Sequence, residues 1–180
     1  RFFGGWGYAE GDVNDPNYLD IAYRGGVPMG GDLTNAPKNR SPTFIAAAAK
    51  DPSGANLDRV QVIKGWLDSD GKLQEKVYDI AWSGDRVPEP ESGRLPAVGN
   101  TVDLQTATYT NTIGAAELAV VWRDPNFDPD ERAFYYIRVL EIPIPRWSSK
   151  DAVYFGVEVP QGIPQWIQDR AYSSPIWYTP

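Results

Sequence analysis

The sequence predicts an all-β protein, an immunoglobulin-like β-sandwich of about seven or eight strands with long loops and one short helix. Its 17 glycines and 16 prolines are spread along 180 residues and leave little room for long helices. Between them lie short runs rich in Val, Ile, Tyr, Trp and Thr, which favour a pleated, half-buried surface. The spacing of these runs is typical of two packed sheets.

Residues 1–41 are the least regular part of the chain. A first strand is predicted at Phe2 and Phe3, and the remainder, rich in glycine pairs and Asp/Asn turns, is predicted to wrap the body as a long loop. Residues 42–180 are predicted to form the sandwich domain. Because the chain starts at Arg1 without a methionine and within a predicted strand, we expect a fragment or processed product of a longer protein.

The strands predicted for the sandwich are separated by clear turn signals. Residues 68–71 (DSDG) predict a hairpin turn, and residues 86–100 predict a loop. Residues 133–141 (AFYYIRVLE) form the strongest strand and are expected at the centre of a sheet. The serines and charged residues at 148–151 can cap one short helix that runs to about Phe155. The predicted strands are 42–50, 59–66, 73–82, 101–110, 117–122, 133–141 and 173–178.

The chain contains no histidine and no cysteine. The ordinary pKa of histidine suits proton transfer near neutrality, and histidine and cysteine together supply most zinc, copper and iron ligands. Any chemistry in this segment is therefore left to carboxylates, lysines, hydroxyls and aromatic rings. We expect no cofactor in this segment and no catalytic residue.

The charge balance excludes several partners. With 17 basic and 24 acidic residues the net charge is −7, which argues against binding to nucleic acid or to an anionic membrane. No apolar run approaches the roughly 20 residues that span a bilayer, so we expect no membrane insertion. The absence of cysteine leaves the compartment open, and a periplasmic or secreted location is favoured over a cytoplasmic one.

One acidic segment has the spacing of a calcium loop. Asp124, Asn126 and Asp128 place side-chain oxygens at every second residue, as such loops begin. Pro129 stands where the loop needs its glycine, and Tyr135 where it needs a bidentate glutamate. The alternative is an Asp-Pro turn between two strands.

A proline-held loop follows the predicted central strand. In residues 142–147 (IPIPRW) the two prolines favour an extended loop that presents Arg146 and Trp147 in a fixed way. With Asp151 nearby, these residues are candidates for binding a carboxylate, a phosphate or another small molecule. The alternative is that Arg146 pairs with Asp151 while Trp147 covers the end of the sheet.

Seven tryptophans are many for a domain of this size. In an acidic β-sandwich they suggest carbohydrate binding, since sugar faces stack on exposed rings and carboxylates bind hydroxyls. Such a site predicts an open row of rings on one face of a sheet. The alternative is packing in the core and at its rim, which the positions of Trp66, Trp82, Trp122 and Trp177 within or beside predicted strands favour.

Six segments of the sequence resemble the bacterial family catalogued as domain of unknown function 3604, and together they cover nearly the whole chain. They are RFFGGW at 1–6, VPMGGDL at 27–33, DPSGANLDRVQVIKGW at 51–66, TNTIGAAEL at 110–118, AFYYIRVLEIPIPRW at 133–147 and SSPIWYTP at 173–180. The resemblance implies that the chain is the C-terminal part of a longer protein. It also implies an upstream part similar to the PHP-type metal-dependent phosphoesterases, which hold metals with histidines and acids.

Two functions remain as hypotheses. The resemblance implies a non-catalytic C-terminal β-sandwich that supports or shapes the active site of an upstream metal-dependent hydrolase, its partner within the same protein. None of the metal-binding histidines has a counterpart here, so no ligand is transferred to this sequence. The alternative is an autonomous carbohydrate-binding or structural interaction module.

Overall fold

The computed structural model describes residues 1–180 and contains twelve strands, two α-helices and one 3₁₀ turn. Five of the strands have seven residues or more, and the others have two to four. The strands are β1 (Phe2–Gly5), β2 (Gly26–Pro28), β3 (Asp32–Leu33), β4 (Thr43–Ala49), β5 (Leu57–Leu67), β6 (Leu73–Trp82), β7 (Glu117–Arg123), β8 (Ala133–Glu141), β9 (Ile144–Pro145), β10 (Trp166–Ile167), β11 (Arg170–Tyr172) and β12 (Ile176–Tyr178); the helices are α1 (Tyr18–Gly25) and α2 (Trp147–Phe155), and the 3₁₀ turn is Asp12–Asn14.

The strands form two main sheets. A four-stranded sheet has the order β2-β1-β4-β7, and a six-stranded sheet has the order β3-β12-β8-β5-β6, with β11 also paired to β8. All pairs are antiparallel except β3 with β12. The strands β9 and β10 form a separate pair. The prediction of an all-β sandwich is confirmed, with β8 inside its sheet as expected.

The main core lies between the two sheets. Phe44 of β4 and Tyr135 of β8 are fully buried, and their ring centroids are 4.6 Å apart. Burying one large apolar side chain contributes about 1.5–3 kcal/mol to the free energy of unfolding, so the core between the two sheets provides most of the stability. Its other buried members are Phe2, Leu33, Ala46, Leu57, Val60, Val62, Ile80, Leu118, Ala133, Ile137, Ile176 and Tyr178.

Residues 1–41 contribute to both sheets. The predicted strand at Phe2 and Phe3 is confirmed, and it lies between β2 and β4. The ring of Phe2 stacks on that of Phe44 with centroids 5.4 Å apart, so residues on both sides of position 41 share one core. The boundary at residue 41 itself stays a prediction.

Helix α1 was not predicted. Its region was interpreted as loop because glycine, asparagine and aspartate dominate the neighbouring sequence. The helix nevertheless buries Ala22 against Phe3, Tyr8 and Ile45 on the outer face of the four-stranded sheet. Tertiary packing of this apolar stripe outweighs the local turn signals.

The predicted strand at 101–110 is wrong. The structure has turns there and a single bridge between Asp103 and Thr108. The Asp103 carboxylate accepts a hydrogen bond from the Gln105 backbone N–H at 2.8 Å, and Ala107 has a φ of +50°. Such side-chain bonds to the backbone compete with a strand even where the residues alternate.

The short helix predicted near 148–155 is confirmed as α2, which begins at Trp147. No side chain caps its first turn; the Ser149 hydroxyl instead donates to the Gln165 carbonyl at 2.7 Å. The helix ends at Gly156, whose φ of +66° is easily adopted by glycine. Neither helix of the protein is long and apolar enough to cross a membrane.

Candidate functional site

In the acidic segment that follows β7, Asp124 and Asn126 bind the side chain of a lysine from β5. Lys64 of β5 donates from Nζ to Oδ2 of Asp124 at 2.7 Å and to the backbone carbonyl of Asn126 at 2.6 Å. The hydroxyl of Tyr135 donates to the same carboxylate oxygen at 2.8 Å. Lys64 and Asp124 are both almost completely buried, so this ion pair joins the two sheets inside the core.

Two tyrosines near Asp124 have raised pKa values. Burial, followed by the Asp124 charge, raises the pKa of Tyr78 to about 12 and that of Tyr135 further. The hydroxyl of Tyr78 donates to Oδ1 of Asn126 at 3.1 Å. Asp128 lies apart on an exposed turn, where it accepts a backbone hydrogen bond. A Ca²⁺ ion at this segment would have to displace the ammonium group of Lys64, and calcium binding stays a prediction.

The structure brings Arg146 and Trp147 together at the start of α2. The guanidinium carbon of Arg146 lies 6.0 Å from the centre of the Trp147 ring, at the limit of a cation–π contact. Asp151 is exposed one turn further along the helix, and neither it nor Arg146 takes part in an ion pair. Trp147 is 66% exposed. Binding by these three residues stays a prediction.

Trp147 belongs to a wider apolar surface formed by α2 and the chain that follows it. Of the nine residues of α2, only Ser149 and Ala152 are buried. Tyr154 and Phe155 project from its last turn, 81% and 69% exposed, with their rings edge to face at 4.9 Å. We call this the α2 surface; it consists of Trp147, Val153, Tyr154, Phe155, Val157 and Trp166, all exposed.

A second exposed surface is a row of aromatic rings on the outer face of the six-stranded sheet. Phe134 lies between Trp177 and Tyr136, with centroids 5.4 Å and 6.3 Å away, and Tyr136 lies 6.3 Å from Tyr172. Trp177 is 48% exposed and Tyr172 57% exposed, whereas Phe134 and Tyr136 are half-buried. We call these four residues the aromatic row.

A polar network adjoins the aromatic row. Gln61 donates to Oδ1 of Asp79 at 2.7 Å and accepts from Nε of Arg138 at 2.8 Å. Arg59 also contacts Asp79, with Nη1 at 3.3 Å from Oδ2. Arg138 is the register partner of both Gln61 and Tyr172, so the network begins where the row ends.

The network is anchored by a buried carboxylate. Asp58 is 1% exposed, and Arg86 Nη2 lies 2.7 Å from its Oδ1. Arg59 and Gln168 donate to the other oxygen at 3.1 Å and 2.9 Å. The pairing of β5 with its neighbours shifts register on both sides of this point, at 57–59 and 60–61. Such bulges redirect side chains, which explains how an acidic residue next to Leu57 enters this cluster.

The sandwich opens at one end into a cleft of about 630 Å³. Its walls include Ala47 to Ala49 of β4, Leu118 of β7 and Val139 of β8, so small side chains leave the space between the sheets unfilled. Glu141 also lines the cleft, and burial followed by the charge of Asp169 raises its pKa. No group of three or more acidic side chains is placed to hold a metal ion.

Sequence reasoning missed three members of the aromatic row. Trp177 was singled out but expected in the core or at its rim, whereas Phe134, Tyr136 and Tyr172 were not considered as site residues. The signal was present in 133–141, where Phe134, Tyr136 and Arg138 alternate with the inward residues. Arg138 lies on the same face of β8 as Phe134 and Tyr136, and a charged residue indicates that this face is the outer one.

Comparison with known proteins identifies the family of the chain. No curated protein and no solved structure matches it. The model of the family described as "Protein of unknown function (DUF3604)" matches residues 1–180. The match confirms the family resemblance found in the sequence, and the chain belongs to the DUF3604 family.

Proposed function

We propose that this chain is the non-catalytic β-sandwich of a PHP-like metal-dependent hydrolase, in which it occupies the C-terminal position and supports the active site of an upstream domain. The α2 surface carries this proposal. The six exposed side chains of this surface lie within about twenty residues of sequence, from Trp147 to Trp166. Exposed aromatic side chains concentrated in one segment support a contact with a protein partner.

The shape of the α2 surface suits docking against a folded domain. Tyr154 and Phe155 stand at the end of the helix as an edge-to-face pair of rings, and aromatic side chains are enriched at the centres of interfaces. Beside them a shallow groove of about 420 Å³ is lined by Ala152, Val157 and neighbouring residues. Arg146 at the rim offers a guanidinium group without an ionic partner, which can pair with a carboxylate across an interface.

The composition is consistent with a supporting role. A PHP-like hydrolase needs histidine ligands for its metals, and this chain has none to offer. The metal and its catalytic groups would therefore come from the upstream part, and this segment would bind no cofactor. The net charge of −7 makes nucleic acid an unfavourable partner.

The proposal is tested on the protein with its natural upstream segment. We expect that segment to contain a histidine- and acid-rich metal-binding pattern and, when produced as a separate polypeptide, to bind the 180-residue chain. Phe155→Ser should weaken this association about tenfold, since it removes a central apolar contact. The matched control is Val87→Ser, because Val87 is similarly exposed, at 74%, on a loop outside the α2 surface.

Two results would contradict the proposed role. One is an upstream sequence without histidine and acidic metal ligands. The other is an association that Phe155→Ser and Val87→Ser leave equally strong, which would show that the α2 surface is not the contact.

A further inference from the structure

We propose that the aromatic row is a carbohydrate-binding site for an extended chain of neutral pyranose sugars. This site lies on the outer face of the six-stranded sheet and is separate from the α2 surface. It would let the chain hold a polysaccharide whether or not an upstream domain is attached.

The rings of the row form a line whose inner pair is nearly parallel and whose end rings are tilted by 54° and 43° against their neighbours. Phe134 and Tyr136 are two residues apart on β8, and their planes differ by only 11°. Trp177 on β12 and Tyr172 on β11 continue the line at its two ends, so neighbouring centroids lie 5.4 to 6.3 Å apart. This step is comparable to the width of one sugar ring, and the two exposed members, Trp177 and Tyr172, offer ring surface to the apolar side of a pyranose.

The centre of the row is supported by β5. A Cβ atom at Gly65 would lie 2.3 Å from Cζ of Phe134, so the ring tip occupies the space that a side chain would fill. Ile63 is the register partner of Tyr136 and is only 1% exposed although it lies on the outer face. A ring held in this way, as Phe134 is, loses little conformational entropy when a ligand binds, which favours affinity.

Polar groups stand at both ends of the row. At one end Nε of Arg138 bonds to Gln61, which leaves the two terminal nitrogens of the guanidinium as donors. At the other end Asp32 is exposed and is the register partner of Trp177, which provides a carboxylate acceptor. Stacking surfaces flanked by fixed donors and acceptors match the amphipathic character of a sugar chain.

The charges of the neighbouring network favour a neutral ligand. Arg59 and Arg86 are already engaged by Asp58, and Arg59 also contacts Asp79. These two cations are therefore not available to a polyanion; Arg138 keeps its terminal nitrogens, but the net charge of −7 repels a polyanion. An uncharged polymer needs no free cation and is not repelled by the net charge, so it can stack on the rings.

The experiment titrates the 180-residue chain with cello-, xylo- and manno-oligosaccharides and with the soluble polysaccharides that contain them. Tryptophan fluorescence and affinity electrophoresis report binding. We expect binding that persists at high salt, and Trp177→Ala and Tyr172→Ala should each weaken it about tenfold through lost stacking. Trp177→Phe, which keeps a ring, should retain most of the affinity.

The matched control is Tyr23→Ala. Tyr23 is 58% exposed, almost as much as Tyr172, but it lies on α1 over the other sheet. It should bind sugars as the unmodified chain does. Absence of binding to every sugar would overturn the assignment. So would binding of acidic polymers or proline-rich peptides alone, or equal affinity of the Trp177→Ala and Tyr23→Ala chains.

Discussion

At the scale of single residues, the ion pair of Lys64 with Asp124 is the most demanding feature of the core. A buried carboxylate is costly unless charged or polar partners surround it. Here the ammonium group, the hydroxyl of Tyr135 and the backbone N–H of Asn126 all donate to Asp124. Asp124 is the first residue of the spacing that suggested a calcium loop. In the structure its carboxylate binds Lys64, which the sequence analysis did not connect to it.

Removal of that lysine tests the arrangement. Lys64→Met leaves Asp124 buried without its ammonium partner, and we expect a loss of about 3–5 kcal/mol in the free energy of unfolding. The double variant Lys64→Met, Asp124→Asn should lose less, because no charge then remains inside. Equilibrium urea unfolding measures both, and a single variant as stable as the double would contradict this account.

Glu141 makes the stability of the protein depend on pH, and the direction of this dependence follows from its raised pKa. Burial, the charge of Asp169 and that of Asp51 raise its pKa above the ordinary value of 4.5, and Lys50 opposes them only in part. The folded chain therefore holds this proton more tightly than the unfolded chain. The contribution of Glu141 to stability falls as pH rises from about 4.5 through the raised pKa, and it stays low above it.

Glu141→Gln removes this titration. We expect the variant to be more stable than the unmodified chain at pH 7 and no more stable at pH 4, because the native glutamate is already protonated there. Thermal unfolding at the two pH values measures the difference. A variant that is less stable at pH 7 would show that the Glu141 carboxylate makes a favourable contact in its charged form.

At the scale of elements, the alternation in β8 shows what a sequence can predict and where it fails. Residues 133–141 were correctly predicted as an interior strand, since aromatic and β-branched residues of either face favour a sheet. The same residues are aromatic on both faces, so alternation alone did not tell which side is exposed. Arg138 indicates the outer face, but how far each face is buried depends on which sheet packs opposite, a contact between residues distant in sequence.

Gly65 tests how β5 supports the aromatic row. Gly65→Ala places a Cβ atom 2.3 Å from Cζ of Phe134, so the ring must move. We expect a loss of about 1–3 kcal/mol in stability, as for other overpacked sites. Gly11→Ala is the control, because nothing lies within 4 Å of its Cβ position and it should change stability by less than about 0.5 kcal/mol. Equal stability of the two variants would contradict this packing.

The two helices differ in how far the sequence predicts them. Helix α2 was predicted from the serines and charged residues at 148–151; the helix is present, although no side chain caps its first turn, and it is followed by Gly156 in the left-handed region. Helix α1 lacks a side-chain cap and is held by the packing of Ala22 under Tyr8, whose hydroxyl donates to the Ala22 carbonyl at 2.6 Å. Such a helix follows from the fold around it, which is why turn residues in the sequence concealed it.

At the scale of the whole molecule, the sandwich presents different surfaces on different sides. Helix α1 covers the outer face of the four-stranded sheet, the aromatic row occupies the outer face of the six-stranded sheet, and the α2 surface follows β9. All-β composition and two-sheet packing could be predicted from residue patterns. The two exposed surfaces could not: the aromatic row combines residues of β8, β11 and β12, and which residues of 147–166 stay exposed depends on how α2 packs against the rest of the fold.

The most direct test of the proposed supporting role is hydrogen–deuterium exchange of the 180-residue chain, alone and joined to its natural upstream segment. If α2 docks on that segment, the amides of residues 147–157 should exchange markedly more slowly in the longer protein, while those of the loop at 86–100 should be unchanged. Equal exchange of residues 147–157 in both proteins would contradict the docking of the α2 surface.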